Sequence, residues 1–248
     1  MAGSATKDDT DRTTLIIGAG STLAGALIRQ LAAEADGGRI VAISRRPAPT
    51  PGAAVHWITC DYSEQHIAST CAELMTYQGS VQRVYLFNGQ LHNTDLLPEK
   101  RLEDLSERCL QSILHSNTIV PALWLARLPT LLRGPRHCVV TLLSARVGSI
   151  NDNQLGGWYS YRMSKAALNM LVKTAAIEYQ RRAENVSLMA YHPGTVDTPL
   201  SKPFQSRVPE DKLFSPQRAA TYLTQCCDGI KPGQSGLYRD WRGEDIAW

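Results

Sequence analysis

The sequence predicts a single α/β domain: a doubly wound, mostly parallel sheet of about seven strands flanked by helices. Two observations carry this. Short β-rich runs alternate with longer helical patterns, the order that βαβ units produce. Several of the short runs are also apolar nearly throughout, as strands covered by helices on both faces must be. At 248 residues the chain fits one such domain, and no Pro/Gly/Ser-rich linker divides it. The expected organisation is therefore a disordered tail over 1–12 and one domain over 13–248.

The candidate strands are Thr14–Ile17, Ile40–Ser44, Val55–Thr59, Arg83–Phe87, His137–Leu143 and Val186–Tyr191, with a seventh near Gly236–Tyr238. Helical patterns fall at about 22–35, 63–77, 103–128, 158–182 and 216–228. In the third of these, Leu105, Cys109, Ile113, Ile119, Leu123 and Ala126 recur near helical spacing. Pro121 lies inside it and should kink or break the helix. Pro47 to Gly52 reads as an extended turn, and the prolines between 193 and 216 mark a loop-rich stretch.

Composition excludes several classes. With 26 basic and 23 acidic residues spread along the chain, net charge +3, nothing favours nucleic acid or an anionic membrane as partner. The pairs Arg45-Arg46 and Arg181-Arg182 are local features, and a pair of adjacent charges is ordinarily a solvated turn or helix end. The six cysteines show no CxxC or Cys/His spacing suited to zinc, so no metal is expected. Most lie in apolar runs, as small buried side chains would. Met1 to Arg12 lacks the apolar core of a signal peptide, and no stretch approaches 18 apolar residues. A cytoplasmic, reducing location is the expectation.

Residues 14–27 read as a strand, a glycine-bearing turn and a helix. Such a turn presents free N–H groups and the positive end of a helix to a pyrophosphate. Gly18 would permit the tight turn and Gly20 the close approach of backbone to ligand, in the manner of a Rossmann-type site. Ser21, Thr22 and Leu23 complete the candidate phosphate contacts. The turn is not a strict G-x-G-x-x-G, since the third glycine falls two places late at Gly25; a glycine-rich turn without a ligand is the plain alternative.

A site selecting NAD usually ends its second strand in a carboxylate for the ribose 2′-hydroxyl. Here that strand ends Ser44-Arg45-Arg46. Arginine can bind a 2′-phosphate through paired hydrogen bonds, so NADP(H) is expected in preference to NAD(H). Asp61, after the third strand, is a candidate for the adenine amino group, although an aspartate there is commonly a helix cap.

Tyr161 and Lys165 stand four apart and share a helix face one turn apart. A neighbouring ammonium can lower a phenol's pKa from about 10 toward working range. Ser144 follows an apolar strand at the carboxyl end, where open α/β sheets bind ligands. Asn117 lies near the expected kink, and Pro193-Gly194 follows the next strand at the same edge. Each has an ordinary structural explanation; their order on one α/β scaffold argues for a site. Tyr159 lacks a lysine four residues on and reads as wall or core.

With these residues in place, the chain resembles the short-chain dehydrogenase/reductase family from about Thr14 to Trp248, and Trp158–Glu178 and His192–Phe204 resemble its C-factor-like branch. The resemblance implies Tyr161 as acid/base, Ser144 as hydrogen-bond partner of the substrate oxygen and Lys165 as holder of the nicotinamide ribose. It implies Asn117 as organiser of a relay water. Asn88 and Gly89 stand where the family carries Asn-Ala-Gly beside the adenosine ribose. Val196 backbone and the Thr198 hydroxyl match positions that hold the nicotinamide carboxamide, after the Pro193-Gly194 turn. Two departures stand out: the family's second and third turn glycines fall at Thr22 and Ala24, and the 17-residue interval from Ser144 to Tyr161 exceeds the usual spacing. A bulge over Ser149–Gly157 would absorb the extra residues.

The reading is an NADP(H)-dependent oxidoreductase acting on a small carbonyl or alcohol; the family's usual dimers or tetramers imply a homo-oligomer. The alternative is a non-enzymatic dinucleotide-binding redox sensor or signalling protein on the same fold. Loops near 91–97, 149–158 and 199–214 should surround the substrate. Leu91, Leu96, Ile150, Trp158, Leu200 and Phe204 are candidate apolar walls.

Overall fold

The computed structural model describes residues 12–34, 38–49 and 55–248. The expected tail (all but residue 12) and the end of the Pro47–Gly52 turn lie outside them. Strands β1 (Thr13–Ile17), β2 (Arg39–Ser44), β3 (Val55–Thr59), β4 (Val81–Leu86), β5 (Cys138–Leu143) and β6 (Val186–His192) agree with the sequence expectation to within two residues. A two-residue pair, β7 (Thr195–Val196) and β8 (Leu213–Phe214), interrupts the proline-rich stretch. The last strand is β9 (Leu237–Asp240). The main sheet is wholly parallel, ordered β3-β2-β1-β4-β5-β6-β9, and β7 with β8 forms a separate ladder. Strand order reverses between β1 and β4, and a cleft opens at such a switch point, beyond the carboxyl ends of the strands.

Helices α1 (Thr22–Ala33) and α6 (Pro216–Asp228) cover one face of the sheet. Helices α2 (Glu64–Leu74), α4 (Val120–Leu132) and α5 (Tyr159–Arg182) cover the other. Each face has its own apolar cluster, so β1, β4, β5 and β6 are buried on both sides. The six thiols are free and buried, five of them in these layers and Cys109 in a small third cluster with Leu91, Ile113 and Tyr161. No helix among the described residues is long and apolar enough to cross a membrane.

The long helix expected over 103–128 is in fact three segments. A short turn at Leu102–Asp104 precedes α3 (Glu107–Leu114), whose N-cap Ser106 accepts from Cys109 N–H. A π-helical segment, His115–Ile119, then leads into α4. Pro121 explains the break, because its ring nitrogen cannot donate to the Asn117 carbonyl four residues earlier. Pro129, inside α4, likewise deprives the Leu125 carbonyl, and there the buried Tyr179 hydroxyl donates instead at 2.6 Å.

Candidate active site

Strand β5 delivers Ser144 to the cleft, and its N–H donates to Tyr191 O at 2.8 Å. The chain then makes a turn at Arg146–Gly148 pressed against α5: a Cβ on Gly148 would lie 2.7 Å from Lys165 Cβ. Beyond it the loop bulges outward, as the long Ser144–Tyr161 interval requires, with Leu155 93% exposed. Ile150 is 77% exposed and does not line the pocket; the sequence expectation for it is corrected, because the bulge carries it to solvent. Gly156, Gly157 and Trp158 all take positive φ and turn the chain into α5.

Tyr161 and Lys165 are both buried within the first two turns of α5. Lys165 Nζ lies 5.7 Å from the Tyr161 ring centroid and donates to Leu143 O at 2.6 Å. Burial pushes the Tyr161 phenol well above its ordinary value and pushes the lysine down to about 7. For the phenol, burial is the first cause and the neighbouring Tyr238 the second, so the protein alone does not lower its pKa, contrary to the sequence expectation. A stability signature follows. In an unfolded chain Lys165 titrates at its ordinary value, so between pH 7 and about 10 the unfolded state binds the extra proton and stability rises with pH. Relative to Lys165→Met, the wild-type protein should gain up to about 1.4 kcal/mol per pH unit between pH 7.5 and 9.5 in denaturant melts. Parallel pH profiles for the two proteins would show that Lys165 stays charged.

The other two members of the constellation are committed more firmly than the sequence suggests. The Ser144 hydroxyl donates to Asn169 Oδ1 at 2.6 Å, and Asn169 Nδ2 donates to Gly148 O. The fully buried Asn117 uses its carboxamide to tie three elements together. Its Oδ1 accepts from Gln90 N–H at 2.6 Å, and its Nδ2 donates to Gln90 O and Ser164 Oγ. Its main-chain carbonyl is the one that Pro121 leaves without an i+4 donor. Asn169 and Gln90 were not singled out from sequence. Asn169 could have been: it continues the four-residue spacing of Tyr161 and Lys165 along one helix face.

The cleft divides into two cavities that share Gly20, Ser21, Arg46, Phe87, Asn88 and Gly89. The first, about 630 Å³, is also lined by Thr22, Leu23, Ser144, Tyr161, Lys165, Pro193, Gly194, Val196 and Thr198. The second, about 570 Å³, adds Gly18, Ser44, Arg45, Asp61 and Tyr62. The cradle suits a dinucleotide. Asn88 and Gln90 line the second cavity, and each carries a buried polar atom, Oδ1 and Nε2, without a hydrogen-bond partner among the described residues. The amides of Thr22 and Leu23 open α1 and have no intrahelical acceptor. The absence of a side chain on Gly89 admits Lys165, whose Nζ would lie 3.2 Å from a Cβ there.

Within the glycine turn, Gly18 takes φ +82°, and its N–H is turned inward to Ile43 O and Tyr62 Oη. Ser21 caps α1 by accepting from Ala24 N–H. At the end of β2, Ser44 Oγ accepts from Arg46 N–H, and the Arg45 guanidinium lies 6.0 Å from the Tyr62 ring centroid. Neither arginine is paired with a carboxylate among the described residues. Asp61 serves the turn before α2: its Oδ1 accepts from Ser63 N–H at 2.8 Å and lies 3.3 Å from His66 Nδ1. These bonds, Ser63's hydroxyl first, lower its pKa. Ser63, not Asp61, is the cap of α2; Asp61 orders the turn just before that cap and lines the second cavity.

On the reacting side, Leu91, Trp158, Leu200 and Phe204 line the cavity as expected, with Val208 added; Leu96 packs behind them. Trp158 contacts Phe204 at 4.8 Å and meets Tyr161 edge-on at 6.3 Å between ring centroids. Strand β9 braces the loop after Ser144: Tyr238 Oη donates to Ala145 O at 2.7 Å, and the buried Asp240 pairs with Arg146 at 3.2 Å.

Comparisons with known proteins agree with this arrangement. A short chain dehydrogenase family profile matches residues 12–209. A 1-hydroxy-2-glutathionyl-2-methyl-3-butene dehydrogenase of Rhodococcus sp. (strain AD45) is 37% identical over 48% of this chain and 50% of its own length. The C-signal protein of Myxococcus xanthus is 34% identical over 50% of this chain and 68% of its own. The aligned stretch thus spans only half of the first relative. Among solved structures, the carbonyl reductase Sniffer of D. melanogaster superposes with a TM-score of 0.81 at 19% identity, covering 96% of this chain and 99% of that one. The NADPH-bound carbonyl reductase from chicken fatty liver gives 0.80 at 20%, with the same coverage. Topology, site and profile together establish that this chain belongs to the short-chain dehydrogenase/reductase family.

Proposed function

We propose that the chain is an NADP(H)-dependent oxidoreductase that interconverts a small carbonyl and its alcohol, with Tyr161 as the acid/base. The observation that carries this is one cavity lined jointly by the glycine turn, Arg46, Ser144, Tyr161 and Lys165. NADPH bound along the cleft would supply the hydride for the carbonyl carbon. The protein's own part is positioning and proton transfer. Tyr161 gives its phenolic proton to the developing alkoxide, and in the other direction takes the alcohol's proton. Lys165, titrating near 7, binds the ribose and resupplies the phenol. The Asn117 carbonyl, rather than its committed carboxamide, holds the relay water. Ser144 reaches the substrate oxygen by turning its hydroxyl away from Asn169. Arg45 and Arg46 take the 2′-phosphate, and the apolar wall of Leu91, Trp158, Leu200 and Phe204 excludes water.

A second reading, a dinucleotide-binding sensor, draws on the Ser144–Asn169 bond, the altered glycine turn and the likeness to C-signal. One experiment separates them. Fluorescence titration with NADPH and NADH is followed by a screen of aldehydes, ketones and quinones. The enzymatic reading expects tighter NADPH binding and its consumption with at least one carbonyl. Binding without consumption across the panel would favour the sensor, and no binding of either dinucleotide would remove both.

A further inference from the structure

Helix α5 carries Tyr161 in its first turn, yet its own N-terminus is poorly made. The N-cap position is Trp158, in a left-handed conformation (φ 53°, ψ 44°), with no side-chain oxygen to offer the first amides. The missing acceptor comes from 61 residues away. Glu99, only 3% exposed, lies in the stretch between β4 and α3. Its Oε2 accepts from Ser160 N–H at 3.2 Å, its Oε1 accepts from the Ser160 hydroxyl, and its main-chain carbonyl accepts from Trp158 N–H at 2.6 Å. Burial, the largest single influence, would raise this carboxyl's pKa, but the bonds from Ser160, from its own main chain and from the Cys109 thiol together hold the group below its ordinary value. A charged carboxylate is thus clamped at the positive end of a 24-residue helix. The proton-transfer scheme gives it no chemical task.

We infer that Glu99 is a positioning residue: by capping α5 from the loop that also carries Leu91, it fixes the first turn and so the direction in which Tyr161 points. Residues 158, 160 and 161 move together. Trp158, held by the Glu99 carbonyl, packs against both Tyr161 and Phe204. Ser160, held by the carboxylate, precedes the phenol. Without the clamp the first turn frays, and displacements of about 1 Å at a reacting group can cost about 100-fold in rate.

The inference rests on the enzymatic reading for its kinetic consequence but not for its structural one, so two measurements are made. In the protein without cofactor, amide hydrogen exchange at 158–162 should quicken about tenfold or more in Glu99→Ala, with the C-terminal half of α5 unchanged. In turnover with NADPH and any accepted carbonyl, Glu99→Ala should lose roughly 10- to 100-fold in kcat while its NADPH affinity stays within about twofold of wild type. Glu99→Gln, which can still accept from Ser160, should recover most of the loss. If Glu99→Ala does not fold, Ser160→Ala removes one bond of the clamp and should show the same pattern more weakly. Unchanged exchange at 158–162 overturns the clamp. Quickened exchange with wild-type kcat overturns the positioning role, leaving Glu99 a purely structural cap. A wild-type protein that consumes no NADPH would count against the enzymatic reading and the positioning role together, while the exchange data still judge the clamp.

Discussion

Tyr161→Phe should reduce carbonyl turnover by about 1,000-fold or more while leaving NADPH affinity within a few-fold. The substitution removes one oxygen and keeps the ring, so the edge-on packing against Trp158 survives. General acid–base catalysis contributes about 100- to 10,000-fold, and the site offers no ready replacement. Lys165 already donates to Leu143 O, and the Ser144 hydroxyl, though it turns to the substrate oxygen, is a far weaker acid than a phenol. Steady-state kinetics beside a fluorescence titration of NADPH tests this. A mutant that keeps near-normal turnover would remove Tyr161 from the acid/base role.

The second large effect belongs to the end of β2. Arg45→Ala/Arg46→Ala should weaken NADPH binding by roughly 30- to 150-fold, equivalent to about 2–3 kcal/mol, as expected when charge-assisted hydrogen bonds to a phosphate are lost. NADH lacks the 2′-phosphate, so its affinity should change little and the preference between the two should narrow or reverse. Both guanidinium groups are exposed at the cavity mouth, and Ser44 pins the turn that presents them. The loss should therefore shrink as salt rises. Equal losses for NADPH and NADH would mean that the arginines shape the turn without reading the phosphate.

How much of this could be read from residues alone depends on sequence separation. The strands were legible because each is a short apolar run that can only be buried, and the Tyr161/Lys165 pair because helical periodicity sets its face. The segment 103–128 is interrupted next to Pro121, as its sequence predicts, but the form of the interruption and the start of α3 at Glu107 are not written in the apolar pattern. Its apolar spacing is helical, but Pro121 forces a π-helical insertion whose extra residue no periodic template contains. Ser106 was the overlooked cue to where α3 begins. The commitments of Ser144 and Asn117 were invisible for another reason: their partners, Asn169 and Gln90, are ordinary polar residues 25 and 27 positions away. Glu99 and Ser160 are farther apart still, and nothing local to either announces the other.

The brace supplied by β9 bears on how a newly made chain acquires its site. β1, β2 and β4, with the glycine turn that follows β1, all lie before residue 87 and can pair early. The loop following Ser144 has no such autonomy, since Tyr238 and Asp240 grip it from β9, Tyr238 reaching Ala145 across 93 positions. A nascent polypeptide paused before that point would carry the glycine turn while the loop after Ser144 is still unsecured. That loop is therefore secured only once β9 has been made.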